Sequence, residues 1–282
     1  MRIVSGLKRL GCVALLLVTG AAPAAAQATQ QSPPPAPPAT APYEPSSGQQ
    51  GKDVVWVPTS EALVEKMLDL GQVTASDYVI DLGSGDGRTV IAAARRGATA
   101  EGIEYNPDMV ALSQRKASEA GVGAKASFKQ ADLFASDFSK ATVITMFLLP
   151  DINVRLRPQI LEMKPGTRIV SNTFTMGDWE ADKQETVSDC MSWCTALLWI
   201  VPAKVEGTWE TPSGTLTLTQ KYQTFTGTLG AAGITGGKLD GDKIEFDANG
   251  VHYAGRVNGT TIEGTTTGAA SGTWKASRAP GA

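Results

Sequence analysis

The segment Val79-Ile80-Asp81-Leu82-Gly83-Ser84-Gly85-Asp86-Gly87 constrains this chain more than any other. An apolar run ends on an acid and passes at once into a Gly-x-Gly-x-Gly turn, with the helical pattern of Thr89–Arg96 behind it. Glycine allows the backbone angles and the close approach that such a turn needs. A buried strand feeding a helix through a tight turn is half of a βαβ unit, and βαβ units build parallel sheets covered on both faces. The surrounding pattern repeats that unit. Ser60 is placed to cap a helix over Glu61–Leu70, and Gly71 to end it. Strands are predicted at Tyr78–Leu82, Ala98–Glu104, Ala126–Ala131, Ala141–Leu148 and Thr167–Asn172, with helices over Thr89–Arg96, Asn106–Ala120 and Ile152–Met163 between them. Thr195–Val201 is one more apolar strand. Its long approach from Phe174 suggests an antiparallel addition at the far side of the sheet. Residues 53–203 are therefore read as an α/β domain with a Rossmann-like, doubly wound, mostly parallel seven-stranded sheet.

From Lys204 onward the texture changes. Glycine and threonine become dense and short alternating runs follow one another: Val205–Glu210, Gly214–Gln220, Gln223–Leu229, Lys243–Asp247, Val251–Val257, Thr260–Gly264 and Gly272–Ala276. Asn249-Gly250 and Asn258-Gly259 are hairpin turns. Residues 204–282 are read as a small all-β antiparallel meander that closes into a barrel or half-barrel, which hides its edges. Trp209 and Trp274 belong in its core.

The N-terminus reads as an export signal over 1–26. Arg2, Lys8 and Arg9 precede an apolar stretch over Gly11–Gly20, and Ala24-Ala25-Ala26 supplies small residues for cleavage. That stretch is too short to span a bilayer, so no transmembrane segment is expected after cleavage. The protein is accordingly expected to be secreted or periplasmic. Residues 27–52 are rich in Pro, Ala, Gln and Ser and read as a disordered linker, with Tyr43 the first residue expected to touch the fold. The mature chain keeps two cysteines, Cys190 and Cys194. On a helix their side chains aim apart; in a loop or bulge they can pair.

Three carboxylates carry the chemistry. Asp81 ends the first strand, Glu104 the second and Asp132 the third. The carboxyl edge of an open α/β sheet is where ligands bind, so these acids converge on one crevice. The Gly-x-Gly-x-Gly spacing departs from the Gly-x-Gly-x-x-Gly of pyrophosphate binders, and the flanking Asp81 and Asp86 would repel a pyrophosphate. They suit a ligand with an ammonium group. S-adenosylmethionine carries an ammonium, a carboxylate and a cationic sulfonium. Glu104 is placed for its ribose hydroxyls and Asp132 for its adenine amino group.

Residues 53–203 resemble a class I, seven-strand S-adenosylmethionine-dependent methyltransferase. More narrowly, Val57-Pro58-Thr59, Leu148-Leu149-Pro150, Pro165–Ser171 and Gly177-Asp178-Trp179 are similar to the small lysine methyltransferases related to the ATP-synthase c-subunit and adenine-nucleotide-translocase enzymes. The resemblance implies a cofactor site of Pro58, Thr59, Asp81, Leu82, Gly83, Ser84, Gly85, Gly87, Glu104, Tyr105, Asp132 and Leu133. It points to a protein lysine as acceptor. Asp151 and Asp178 are the candidates to orient or deprotonate the amine. A small-molecule acceptor and a non-catalytic exported scaffold are the alternatives.

Counting narrows the rest. The chain has one histidine, His252, far from the glycine loop, so neither a histidine-rich metal site nor a Ser-His-Asp triad is expected there. A formal net charge of -3 and the lack of an Asn-Pro-Pro-Tyr motif speak against a nucleic-acid partner. The expected state is a monomer that binds a protein or small-molecule methyl acceptor.

Overall fold

A computed structural model describes residues 43–188 and 190–279. The predicted export signal and residues 27–42 of the predicted linker lie outside the described residues.

The first domain opens with α1 (Glu61–Leu70). Its Ser60 cap accepts from the Leu63 amide, and Gly71 follows its last residue. β1 (Tyr78–Leu82), α2 (Arg88–Arg95), β2 (Thr99–Glu104), α3 (Pro107–Glu119), β3 (Ala126–Gln130), β4 (Val143–Met146), α4 (Pro150–Leu161) and β5 (Arg168–Asn172) then alternate. β6 (Lys183–Thr186) and β7 (Thr195–Ile200) complete a seven-stranded sheet in the order β3-β2-β1-β4-β5-β7-β6. β1 to β5 run parallel, and β7 is antiparallel to both β5 and β6. The central strands bury both faces: Val79 and Ile80 of β1, and Val143 and Ile144 of β4, are almost fully covered by helices. α1 and α2 pack one face through Leu63, Val64, Met67, Val90 and Ala93. Leu156 and Ile160 of α4 pack the other.

β7 enters antiparallel, as the sequence suggests, but it does not end the sheet. β6 covers it, and β6 reads Lys-Gln-Glu-Thr with every residue exposed. A charged edge strand of this kind resists pairing with another chain and carries no apolar alternation to reveal it.

Residues 43–52 also differ from expectation. Their composition continues the linker, yet they are ordered against the sheet domain. The Gly48 amide bonds to the Trp56 carbonyl at 2.8 Å, and Gln50 bridges to Val55. Gln49 donates to the Tyr43 hydroxyl at 2.6 Å.

The second domain is a closed barrel. β8 (Gly207–Thr211), β9 (Gly214–Lys221), β10 (Thr224–Leu229), β12 (Thr235–Asp240), β13 (Lys243–Ala248), β14 (Val251–Asn258), β15 (Thr261–Gly268) and β16 (Gly272–Arg278) pair in a ring, sealed between β9 and β10. A two-residue β11 (Ala232–Gly233) adds to β10. β12 escapes the sequence pattern because Gly236-Gly237 interrupts its alternation. Trp209, Phe225, Phe246, Tyr253 and Trp274 fill the interior, with the Phe246 and Tyr253 rings stacked at 4.8 Å.

Sheet and barrel share a packed seam. The buried Trp179 indole donates to Gln223 at 2.8 Å and stacks on Tyr222 at 5.6 Å. The Ala203 amide bonds to the Gly241 carbonyl at 2.8 Å.

Candidate active site

A cavity opens beyond the carboxyl ends of β1, β2 and β4. Its lining includes Pro58, Thr59, Asp81, Gly83, Ser84, Gly85, Glu104, Tyr105, Asp132 and Leu133. All three strand-end acids thus meet in one crevice. The glycine loop shapes its floor. Gly85 has φ +52°, and a Cβ there would stand 2.6 Å from the Trp56 indole nitrogen. Only a bare backbone fits between the indole and the space above the loop.

Each acid is held differently. Glu104 accepts from the Gly85 amide and, through its other oxygen, from the Asn106 amide, both at 2.9 Å. Those bonds fix the carboxylate beside the loop. Asp132 accepts from the Phe134 amide at 2.9 Å and pairs with Lys52 at 2.7 Å. Asp81 lies buried and takes the Thr145 hydroxyl at 2.7 Å. Burial pushes its carboxyl up to about 7; the Glu104 and Asp86 carboxylates add to this, and the Thr145 and Thr89 hydroxyls oppose it. Asp81 therefore gains much from a cation placed next to it. Asp86 behaves in the opposite way. Burial disfavours its charge, but Arg88 and Lys116 bind it at 2.9 and 2.8 Å and hold it below the usual carboxylate range. It does not line the cavity.

The residues present fit S-adenosylmethionine. The bare backbone at Gly85 leaves a cradle that a Cβ would fill, and the donor set above it is acidic throughout, as a ligand with an ammonium and hydroxyls requires. Asp81 suits the ammonium, Glu104 a ribose diol, and Asp132 an exocyclic amine. Among the described residues no cluster of three or more His, Cys, Asp or Glu could hold a metal ion.

Several sequence-predicted residues fall elsewhere. Leu82 is core, and Gly87 caps α2, where a Cβ would meet Phe128 at 2.7 Å. Asp151 is exposed in the first turn of α4 and is not part of the lining. Asp178 is drawn away altogether. Tyr222 donates to it at 2.9 Å, Arg157 at 2.7 Å, and its carboxyl is pushed down to about 2, with the Tyr222 and Arg157 bonds as the main causes. It serves the seam with the barrel, so neither acid stands where an amine could meet it in the cavity.

Other lining residues were missed. The strap of residues 49–57 crosses the cavity, and Lys52 lies 5.0 Å from the Tyr105 ring centre as it reaches Asp132. Phe147, Phe174 and Trp193 form an aromatic corner. Trp193 belongs to a loop closed by a Cys190–Cys194 disulfide, the pairing that a loop setting allows. The visible signals were Trp56 in the short apolar run Val54–Val57 just past the linker and a tryptophan enclosed between two close cysteines.

A glycine cradle with a buried acid beneath it and two further acids at the next strand ends, on a sheet with an antiparallel β7, defines a class I S-adenosylmethionine-dependent methyltransferase. The model of the ANTKMT methyltransferase domain matches residues 81–183. The chain is 38% identical over 151 residues to a protein-lysine N-methyltransferase of Saccharolobus islandicus, covering 52% of this chain and 94% of that one. It is 34% identical over 128 residues to the ATP-synthase c-subunit lysine N-methyltransferase of Mus musculus, covering 45% of this chain and 51% of the mouse enzyme. An RNA methyltransferase of Salinibacter ruber, solved with S-adenosyl-L-homocysteine, is 44% identical with a TM-score of 0.50, covering 53% of this chain and 96% of that one. The chain belongs to the protein-lysine N-methyltransferase family. None of these similarities spans the whole chain.

Proposed function

We propose that this enzyme methylates the ε-amine of a lysine in a protein substrate. The observation that carries the reading is the similarity to the Saccharolobus lysine methyltransferase over nearly all of that protein's length. The cavity agrees with it. Leu148-Leu149-Pro150 stands where methyltransferases of planar nitrogens place Asn-Pro-Pro-Tyr, and α4 starts at that proline.

When bound, S-adenosylmethionine supplies a methyl group already activated on a cationic sulfonium, so the protein's task is positioning. Asp81 would hold the ammonium end from below, Glu104 the ribose and Asp132 the adenine edge. Trp56 of the strap packs its indole against Gly85 and covers that part of the loop. An acceptor lysine must arrive neutral, and the apolar walls of Leu148, Leu149 and Ile152 lower the pKa of an amine that enters between them.

The test is transfer of radiolabelled methyl to extract proteins, followed by acid hydrolysis and separation of methylated lysines, with Glu104→Ala as the inactive control. Label confined to RNA would overturn the reading, and the Salinibacter relative makes RNA the necessary comparison.

The site of action is part of the proposal. The predicted export signal and the Cys190–Cys194 disulfide both favour an oxidising compartment outside the cytoplasm. Cell fractionation with N-terminal sequencing of the mature chain tests this; an intact N-terminus on a cytoplasmic protein would overturn it.

A further inference from the structure

Three aromatic rings border the cavity, each from a different part of the chain. Phe147 follows β4, Phe174 follows β5, and Trp193 comes from the disulfide loop. Phe147 and Phe174 stack with centres 5.8 Å apart and planes 18° from parallel. Trp193 meets Phe147 at 5.9 Å with the planes 61° apart. Trp193 is 42% exposed, which puts this corner at the mouth.

The fold strains to hold two of these rings in place. Thr173, just before Phe174, is a β-branched residue at φ +59°, and its hydroxyl is buried without a partner. The Phe174 carbonyl is clamped by Ser171 Oγ at 2.8 Å and by Asn153 Nδ2 at 3.2 Å. Trp193 itself sits at φ +54° inside its covalently closed loop. Strained backbone persists only where its surroundings over-determine it, and it concentrates at ligand clamps.

We propose that this corner is the acceptor subsite, with Phe174 and Trp193 as residues that determine specificity for an aliphatic amine. The inference rests on the lysine reading above and extends it to particular side chains. Aromatic faces cover the methylene stem of the neutral amine and stabilise the positive charge that develops on its nitrogen as the methyl group is transferred. The geometry favours that ligand over a nucleobase. Phe147 and Phe174 already stack on each other and leave no slot between parallel faces, while the tilted Trp193 closes a corner that suits a rounded group.

The experiment measures methyl transfer to an oligolysine peptide and to a single-stranded RNA oligonucleotide, with S-adenosyl-L-homocysteine affinity measured by calorimetry in parallel. Wild-type enzyme labels the peptide. Trp193→Ala and Phe174→Ala raise the peptide KM by about tenfold while the homocysteine Kd stays within the scatter of wild type. Trp193→Phe restores most of the loss. The paired Cys190→Ser, Cys194→Ser variant, which frees the loop, raises KM in the same direction. If wild-type enzyme labels the peptide but both alanine variants keep its KM, the subsite is wrong and the lysine reading stands. A matching loss of homocysteine affinity would instead assign the rings to the cofactor and overturn the inference. Wild-type enzyme that labels only RNA, or neither probe, overturns both.

Discussion

Thr145 on β4 donates its hydroxyl to Asp81 at the end of β1, 2.7 Å away, beneath the glycine loop. That bond and the Thr89 hydroxyl are not enough to keep the buried carboxyl acidic: burial raises it to about 7. Ligand-free protein therefore holds a proton on Asp81 that the unfolded chain would release. The favourable contribution of this proton is full at pH values below the unfolded carboxylate range and is lost as pH rises through about 7. Asp81→Asn should flatten this part of the stability profile and raise the melting temperature of ligand-free protein above neutrality. Thermal melts across the pH range check it; a variant that melts lower than wild type at high pH would contradict the burial argument.

The same proton is linked to cofactor binding. A cationic ligand favours ionised Asp81, so affinity for S-adenosylmethionine should rise with pH and level off above about 7. Binding just below that point should release a proton. Calorimetry in buffers of different ionisation enthalpy measures it, and proton release should vanish in Asp81→Asn together with much of the affinity.

Glu104 joins the loop to the ribose position through the Gly85 and Asn106 amides. Glu104→Ala leaves both donors without their charged partner, a loss of about 1.5–3 kcal/mol for each bond to a charged group. Cofactor affinity should fall at least about tenfold, while Glu104→Gln, which keeps one acceptor, should fall less. Equilibrium titration with S-adenosyl-L-homocysteine decides between them.

Gly85→Ala places a methyl 2.6 Å from the Trp56 indole at a left-handed backbone position. The backbone alone costs about 1–2 kcal/mol, and the strap must also shift. A changed indole emission and a lower melting temperature are expected. Gly123→Ala is the control, because an added methyl there meets nothing within 4 Å.

Asp178 is exposed and committed to Tyr222 and Arg157, so Asp178→Asn should leave kcat and cofactor affinity unchanged. Trp179 beside it is fully buried at the seam between sheet and barrel. Trp179→Ala should cost about 3–5 kcal/mol in chemical denaturation. A marked drop in kcat for Asp178→Asn at normal stability would return that acid to the chemistry.

Periodicity made much of the fold legible. Tyr78–Leu82 is a strand in the structure over the same five residues that its apolar run marks, and the Ser60 cap and Gly71 stop bound α1 as their chemistry requires. β6 was hidden because a solvated edge strand has no buried face to print an alternation. β12 was hidden because two glycines break its alternation.

What the sequence by itself determined is the repeating unit and the floor of the site. Strand–turn–helix alternation puts Asp81, Glu104 and Asp132 at successive strand ends, and a parallel sheet leaves such ends side by side. Only the tertiary structure decided the roof and the mouth. Lys52 reaches Asp132 across the crevice, Trp193 meets Phe147, and Asp178 turns to Tyr222 in the barrel. Those contacts join segments far apart in the chain with no period relating them, so local chemistry carries no trace of the pairing. They form because the packed sheet brings their backbones within reach.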